Sequence, residues 1–253
     1  MDPRLLEKSR YGMIPVVADG LKPFTAYAAE ADRAKAAKMP VVAIVVGGLG
    51  VGAAKTTDAI MKLPPAVTLA FTPYGSDPTK LAERARAQRH EILLQIPMEP
   101  FDYPDNDPGP QTLLTTLGAE QNLDRLYWHL SRFQGYAGIA NFMGARFVVT
   151  DAVMQPIIRE AAKRGLGYLD DGSAPRSVAA TLATARRCPS PRPISPSMRC
   201  RHRRKSTGRS RSSKIWRRNA EPPSASPRRC RSRSSGSAPG SRRLRAAASC
   251  LCH

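Results

Sequence analysis

The feature that most restricts the fold is an alternation of apolar runs and helical patterns between residues 39 and 185. Five short runs rich in Val, Ile and Leu predict buried strands: VVAIVVGG, AVTLAFTP, HEILLQIPMEP, YAGIAN and LGYLDDGS. Amphipathic segments that begin near Ala53, Asp77, Gly118 and Asp151 predict the intervening helices. This order predicts an α/β fold with mostly parallel strands. Because five units are too few to close a barrel, we expect an incomplete (β/α) barrel with its functional groups at the carboxyl ends of the strands.

The sequence changes character after Ala185. Residues 186–253 contain 20 basic residues, 18 of them Arg, against a single acid, and they hold all five cysteines. Residues 1–185 contain 20 basic and 19 acidic residues, so the net charge of +20 resides almost entirely in the tail. We therefore divide the chain into an N-terminal extension (1–38), a globular domain (39–185) and an Arg/Ser/Pro-rich tail (186–253).

The tail is too polar and too basic to bury a core, which predicts disorder. A genuine tail of this kind would bind nucleic acid through phosphate contacts, although Trp216 is its only aromatic residue for base stacking. Its odd number of cysteines and their spacing predict neither a disulfide framework nor a zinc site. Arg in place of Lys, together with Ser, Pro, Ala and Cys, is typical of GC-rich DNA read out of frame. We interpret the tail as a frameshift product that begins between about Ala180 and Cys188.

The glycines after the first predicted strand match two phosphate-binding motifs incompletely. A P-loop requires a glycine directly before its lysine, whereas Lys55 follows Ala54. Gly48, Gly50 and Ala53 have the spacing of a dinucleotide fingerprint, but the next strand ends without the acid that would hold a ribose. We therefore expect no dinucleotide.

Polar side chains follow several predicted strands, at the sheet edge where parallel α/β proteins place their sites. We predict that seven of them line a binding pocket: Glu99, Asp105, Asp107, Asn141, Arg146, Asp170 and Asp171. The two loop acids, Asp105 and Asp107, also fit ordinary turn chemistry. No Ser-His-Asp or Cys-His set can be assembled around them, since His90 is interpreted as structural and His129 as an interface residue.

Several strings carry a family resemblance: AIVVGGLG, LPPAVTLAFTPYG, HEILLQIPMEPFDYPDNDPGP and NLDRLYWHLSRFQGYAGIANFMGARF. Together they resemble the divergent polysaccharide deacetylases, a branch of the metal-dependent polysaccharide deacetylase superfamily. The resemblance covers residues 5 to 182 or so. It implies a distorted (β/α) barrel, a divalent metal such as zinc, a carbohydrate substrate and a location in the periplasm or cell envelope.

The same resemblance implies that the catalytic site is degraded. In the family the first strand ends in two aspartates, a general base and a metal ligand, at the positions of Gly47 and Gly48. The superfamily's histidine ligands fall on Gln95 and Glu99, and a further family histidine falls on Phe142. Among these positions only Glu99 keeps a ligand-type side chain.

We therefore predict no bound metal or other cofactor, because zinc-assisted hydrolysis requires about three protein ligands and an open position for water. The predicted function is a catalytically inactive deacetylase-like protein that binds a glycan or an envelope protein. Two alternatives stay open: an active carbohydrate deacetylase or hydrolase with a relocated site, and nucleic-acid binding through a genuine tail. The charged N-terminus shows no signal peptide and the chain no long apolar span, so its location is not determined.

Overall fold

Residues 1–30 and 42–185 are described by a computed structural model, together with the backbone of the short segment Ala247–Ser249. All of these residues belong to one compact unit of the chain. A second unit, residues 194–244, lies outside the described part.

The N-terminal extension forms structure that the sequence patterns did not predict. A 3-10 turn (Pro3–Leu5) leads into an antiparallel hairpin of β1 (Leu6–Ser9) and β2 (Gly12–Pro15), followed by a short helix, α1 (Pro23–Ala26). The buried Arg164 donates to the Glu7 carboxylate at 2.7 Å and to the Pro15 carbonyl at 2.8 Å. These bonds hold the hairpin against the main domain.

The main sheet contains the five predicted strands, all parallel to one another: β3 (Ala43–Leu49), β4 (Thr68–Phe71), β5 (Ile92–Met98), β6 (Gly138–Met143) and β7 (Gly167–Leu169). They lie side by side in chain order. This arrangement confirms the predicted fold class, an α/β protein with an incomplete barrel. A sixth strand, β8 (Ala247–Ser249), pairs antiparallel with β3. Three residues of the tail that we predicted to be disordered thus form a strand, and its other residues, 186–246 and 250–253, lie outside the described part.

Helices follow each of the parallel strands: α2 (Ala53–Lys62), α3 (Pro78–Ala87), α4 (Ala119–Leu130), α5 (Asp151–Lys163) and α6 (Ala179–Ala185). Helix α3 begins at the predicted Asp-Pro signal. The Asp77 carboxylate accepts a hydrogen bond from the Lys80 amide at 3.2 Å, and Pro78 occupies the first turn, where its missing N–H is not needed.

The sheet separates two hydrophobic clusters. The larger one packs the sheet against the helices and includes Leu69, Ile92 and Leu94. The smaller one lies on the opposite face, the inner face of the incomplete barrel, and contains Val45, Ala70, Leu93 and Ala140. Side chains alternate along a strand, so residues two positions beyond Val45, Leu93 and Ala140 also lie on the inner face. These residues are Gly47, Gln95 and Phe142.

Both histidines of the described residues are buried within the fold. The His90 ring lies 2.9 Å from the Val67 carbonyl and 3.2 Å from the Ile60 carbonyl, which joins the start of β5 to the end of α2. His129 on α4 lies 2.8 Å from the Gln111 carbonyl. Burial lowers the pKa of His129 to about 4, so the ring is neutral at physiological pH and its Nε2–H donates to Gln111.

Candidate functional site

The two glycines at the end of β3 face a single side chain, Gln95 of β5. The Gln95 Oε1 accepts a hydrogen bond from the Gly48 amide at 2.6 Å. A Cβ atom at position 47 would lie 2.9 Å from the Gln95 Nε2, closer than real Cβ atoms approach. Gln95 is 8 % exposed, so its amide fills the space beside the glycines. Any side chain at position 47 is excluded while Gln95 keeps this conformation.

The backbone N–H groups of the glycine turn are already bonded within the protein. Gly48 and Gly50 have φ angles of +74° and +104°, which residues with a side chain rarely adopt. The Gly50 N–H donates to Thr56 Oγ1 at 2.9 Å, and the Gly48 N–H is taken by Gln95. A phosphate-binding loop would present such groups to its ligand, whereas this turn does not.

Glu99 lies at the carboxyl end of β5 with both carboxylate oxygens occupied. Oε2 accepts hydrogen bonds from the backbone N–H of Thr115 at 2.5 Å and from its hydroxyl at 2.7 Å. Oε1 forms an ion pair with the Arg146 Nη1 at 3.0 Å, and Arg146 Nη2 also donates to the Phe101 carbonyl at 3.2 Å. The Glu99 side chain is almost fully buried, whereas that of Arg146 is 44 % exposed.

These contacts keep Glu99 ionised in spite of its burial. Desolvation alone raises the pKa of the Glu99 carboxyl. The hydrogen bonds from Thr115, followed by the hydrogen bond and charge of Arg146, outweigh desolvation and hold the pKa below its usual value. The Arg146 guanidinium therefore supplies the positive charge that compensates this carboxylate.

Asn141 tethers the loop after β7 to the end of β6. Its buried Nδ2 donates to Asp171 Oδ1 at 2.7 Å and to the Met143 carbonyl at 2.8 Å. Its Oδ1 accepts the backbone N–H of Asp171 at 3.0 Å. Asp171 in turn accepts the backbone N–H of Ser173 at 2.8 Å. The side-chain amide of Asn141 thus forms its hydrogen bonds with other groups of the protein.

The structure brings four of the seven predicted pocket residues together as two contacting pairs and leaves the other three outside these pairs. Glu99 pairs with Arg146, and Asn141 pairs with Asp171. The two pairs lie at neighbouring strand ends, because β5 and β6 remain in register up to Met98 and Met143. Asp170 caps its own turn by accepting the Gly172 N–H at 3.0 Å. Asp105 and Asp107 lie apart from both pairs, on the exposed loop after β5.

The loop that carries Asp105 and Asp107 is anchored at its far end. Asp107 accepts the backbone N–H of Gly109 at 2.9 Å, the turn contact that its sequence also predicts. The Tyr74 hydroxyl, beyond β4, donates to the Pro110 carbonyl at 2.5 Å. Gly109 has a φ of +127°, and a Cβ there would lie 2.8 Å from the Tyr74 ring. A glycine is therefore required where the loop crosses this tyrosine.

Sequence reasoning missed Thr115 and Ser173, which complete the two pairs. Thr115 is separated from Glu99 by 16 residues and carries no local motif, so only the folded loop reveals its contact. Ser173 ends the DDGS string, and an Asp side chain in such a loop commonly accepts the backbone N–H two residues further on. That signal could have found the Asp171–Ser173 contact.

The residues present do not fit the divalent metal that the resemblance implies. Gly47 and Gly48 supply no donor side chain, Gln95 is a neutral amide already bonded to Gly48, and Phe142 is apolar. Glu99 has both oxygens bonded to Thr115 and Arg146. Within the described ranges, 1–30 and 42–185, no three His, Cys, Asp or Glu side chains are grouped so as to hold a metal ion.

Comparisons with known proteins agree with the resemblance. The sequence model of the divergent polysaccharide deacetylases matches residues 44–192, which extends seven residues into the Arg-rich tail. A crystal structure of an uncharacterized protein from Agrobacterium tumefaciens is 41 % identical in sequence, with a TM-score of 0.66. That match covers 71 % of this chain and 72 % of the other. No curated protein matches significantly. Among the residues that the structure describes, no helix is long and apolar enough to cross a membrane.

Proposed function

This chain belongs to the divergent polysaccharide deacetylase family, and we propose that it is a non-catalytic member that binds a glycan at the carboxyl edge of its sheet. The observation that carries the proposal is the contact of Gln95 with Gly47 and Gly48, which leaves no space for a side chain at position 47. At the end of the same strand, the charge of the ionised Glu99 is compensated by Arg146. Together these contacts occupy the donors that a metal and a nucleophilic water would require.

The chemistry argues against deacetylation by a metal-bound water. About three protein ligands are needed to hold zinc with an open position, and here one carboxylate is available in principle. The position of the family's general base is Gly47, and a positioned base alone contributes about 10²–10⁴-fold in rate. The loss of this base supports binding over an active enzyme with a relocated site.

We propose that the exposed polar groups contact the glycan and that the buried ones position them. Arg146 is half exposed, Asp170 is partly exposed, and Asp105 and Asp107 project from the loop. Glu99 fixes the Arg146 guanidinium, and the buried Asn141 fixes the loop that carries Asp170. An envelope protein that displays similar polar groups is the alternative ligand, and the family resemblance supports a location in the periplasm or cell envelope.

Acetate release and metal content test the loss of catalysis. We expect the purified protein to release no acetate from chitin oligosaccharides, with or without added zinc, and to contain zinc well below one ion per chain. Stoichiometric zinc together with acetate release would contradict the proposal.

Binding is tested by titration with an N-acetylglucosamine hexamer. We expect Arg146→Ala to weaken binding at least fivefold, while the matched variant Arg84→Ala, an exposed arginine on α3, binds like the wild type. If both variants and the wild type bind the hexamer with equal affinity, the glycan does not bind at the strand ends.

The nucleic-acid alternative depends on the tail, whose frameshift origin stays a prediction. Resequencing the gene across the codons for Ser177 to Pro193 tests it. An inserted or deleted base would remove that alternative. An intact frame would make salt-dependent binding of nucleic acid the next measurement.

A further inference from the structure

An open groove of about 500 Å³ lies beside the first turns of α4, and neither Glu99 nor Arg146 is among its lining residues. Its polar lining consists of Arg10, Gln111, Glu120, Gln121, Asp124 and Arg125. We call it the α4 groove. Its size is within the range of about 300–1,000 Å³ that is usual for small-molecule sites.

The lining offers hydrogen bonds without a net charge. Arg10 pairs with Asp124, and Glu120 balances the formal charge of Arg125. The side chains of Gln111 and Glu120 make no hydrogen bond or ion pair with any described residue. Gln121 uses its Oε1 to cap α4 through the Gly118 N–H at 3.2 Å, which leaves its amide donors free.

Gln111 is held in a conformation that residues other than glycine rarely adopt. Its φ is +63°, in the left-handed region. The buried His129 fixes the Gln111 carbonyl at 2.8 Å, and Arg125 donates to the carbonyl of the next residue, Thr112. His129 Nδ1 has no partner among the described residues, so this ring makes a single hydrogen bond, and it is spent on Gln111. Backbone strain of this kind persists where the surrounding structure enforces it, and it is concentrated at ligand sites.

We propose that the α4 groove binds a neutral oligosaccharide, with Gln111, Glu120 and Arg125 as the contacting side chains. Each sugar hydroxyl both donates and accepts a hydrogen bond, and planar amide, carboxylate and guanidinium groups bridge neighbouring hydroxyls. A charge-balanced set of such groups suits a neutral polyol better than an anion or a cation. The choice of ligand class rests on the glycan-binding function proposed above, whereas the residues are different ones.

Gln111→Gly is the sharpest variant, because glycine adopts the left-handed conformation without strain. It removes the amide side chain and relieves the strain at once. We expect the Tm to stay unchanged or rise, while affinity for an N-acetylglucosamine hexamer falls at least fivefold. Glu120→Ala should weaken binding similarly, and Gln111→Asn, which keeps an amide and tolerates this φ, should retain part of the affinity. Glu83→Ala removes an exposed carboxylate from α3 and serves as the matched control.

The same titrations separate this proposal from the proposed function. Loss of affinity in Gln111→Gly and Glu120→Ala, with a fully deacetylated and hence cationic hexamer binding no better than the neutral one, supports the α4 groove. Wild-type affinity in both groove variants, with affinity lost in Arg146→Ala, would overturn the groove and keep the strand-end site. The reverse pattern would keep the groove and remove the strand-end site. A wild-type protein that binds neither hexamer would overturn both.

Discussion

Replacing Gly47 by alanine should destabilise the protein through one contact. The new methyl group would lie 2.9 Å from the Gln95 Nε2, so the flexible end of the Gln95 side chain must move, which weakens or breaks its 2.6 Å hydrogen bond from Gly48. Gly48 is exposed, so its N–H would then bond to water, and the loss is the net contribution of one hydrogen bond, about 0.5–1.5 kcal/mol. Alanine in an ordinary backbone conformation raises the free energy of unfolding by about 0.4–1 kcal/mol, because it restricts the unfolded chain more than glycine does.

The net loss in unfolding free energy expected for Gly47→Ala is therefore at most about 1 kcal/mol. For a folded region of this size, each kcal/mol lowers the Tm by about 2–4 °C. We expect a fall in the Tm of at most about 4 °C, measured by thermal denaturation and checked by urea unfolding. The urea slope should be unchanged, since the surface exposed on unfolding is the same.

A double-mutant cycle isolates the contact. In a Gln95→Ala background the methyl group at position 47 has room, so Gly47→Ala should be neutral or slightly stabilising. The coupling energy between the two positions is expected to be about 0.5–1.5 kcal/mol. If Gly47→Ala costs the same in both backgrounds, Gln95 does not fill the space beside the glycines and the reasoning about the closed site fails.

Three further predictions concern the neighbouring polar contacts. The pKa of Glu99 is lowered in the folded state, so its stabilising contribution is complete at neutral pH and is lost as acid protonates the folded carboxyl. Thr115→Val removes the hydroxyl that bonds Glu99, so the free energy of unfolding should depend less on pH between pH 7 and pH 3. Asn141→Leu should cost about 1–2 kcal/mol in urea unfolding, because it removes the hydrogen bonds to the partly buried Asp171, and a cost below about 0.5 kcal/mol would show that the loop needs no tether. His129 is held neutral, with a pKa of about 4, so the unfolded chain takes up its proton first and stability falls by about 3 kcal/mol between pH 6.5 and pH 4. His129→Gln should remove that fall, and an NMR signal assigned to the His129 imidazole that titrates near pH 6.5 would contradict the burial argument.

The positions of the five strands could be predicted from the sequence, because parallel strands that are buried on both faces read as continuous apolar runs. Both the apolar run before Gly47 and the Asp77-Pro78 helix signal can be recognised from adjacent residues alone. The structure has β3 and α3 at these places. The hairpin of β1 and β2 escaped prediction, because its residues, LEKS and GMIP, show no clean alternation and are held by the distant Arg164.

The candidate site was predictable in its parts and not in its contacts. The resemblance identified Gly47, Gly48 and Gln95 as changed positions, but the contact between them depends on a distance across two strands. Likewise, the partners of Glu99 come from a loop and from the segment after β6, and no spacing in the sequence joins Thr115 to Arg146. Contacts of this kind follow from tertiary packing rather than from local pattern.

The contact between Gly47 and Gln95 also makes the two positions depend on each other. An aspartate at position 47 would bring the same Cβ atom as alanine, so the Gln95 side chain would have to change conformation to admit it. Replacing Gln95 alone would give up the hydrogen bond from Gly48. On the loss of catalysis proposed above, restoring an acid at position 47 therefore depends on the residue at position 95.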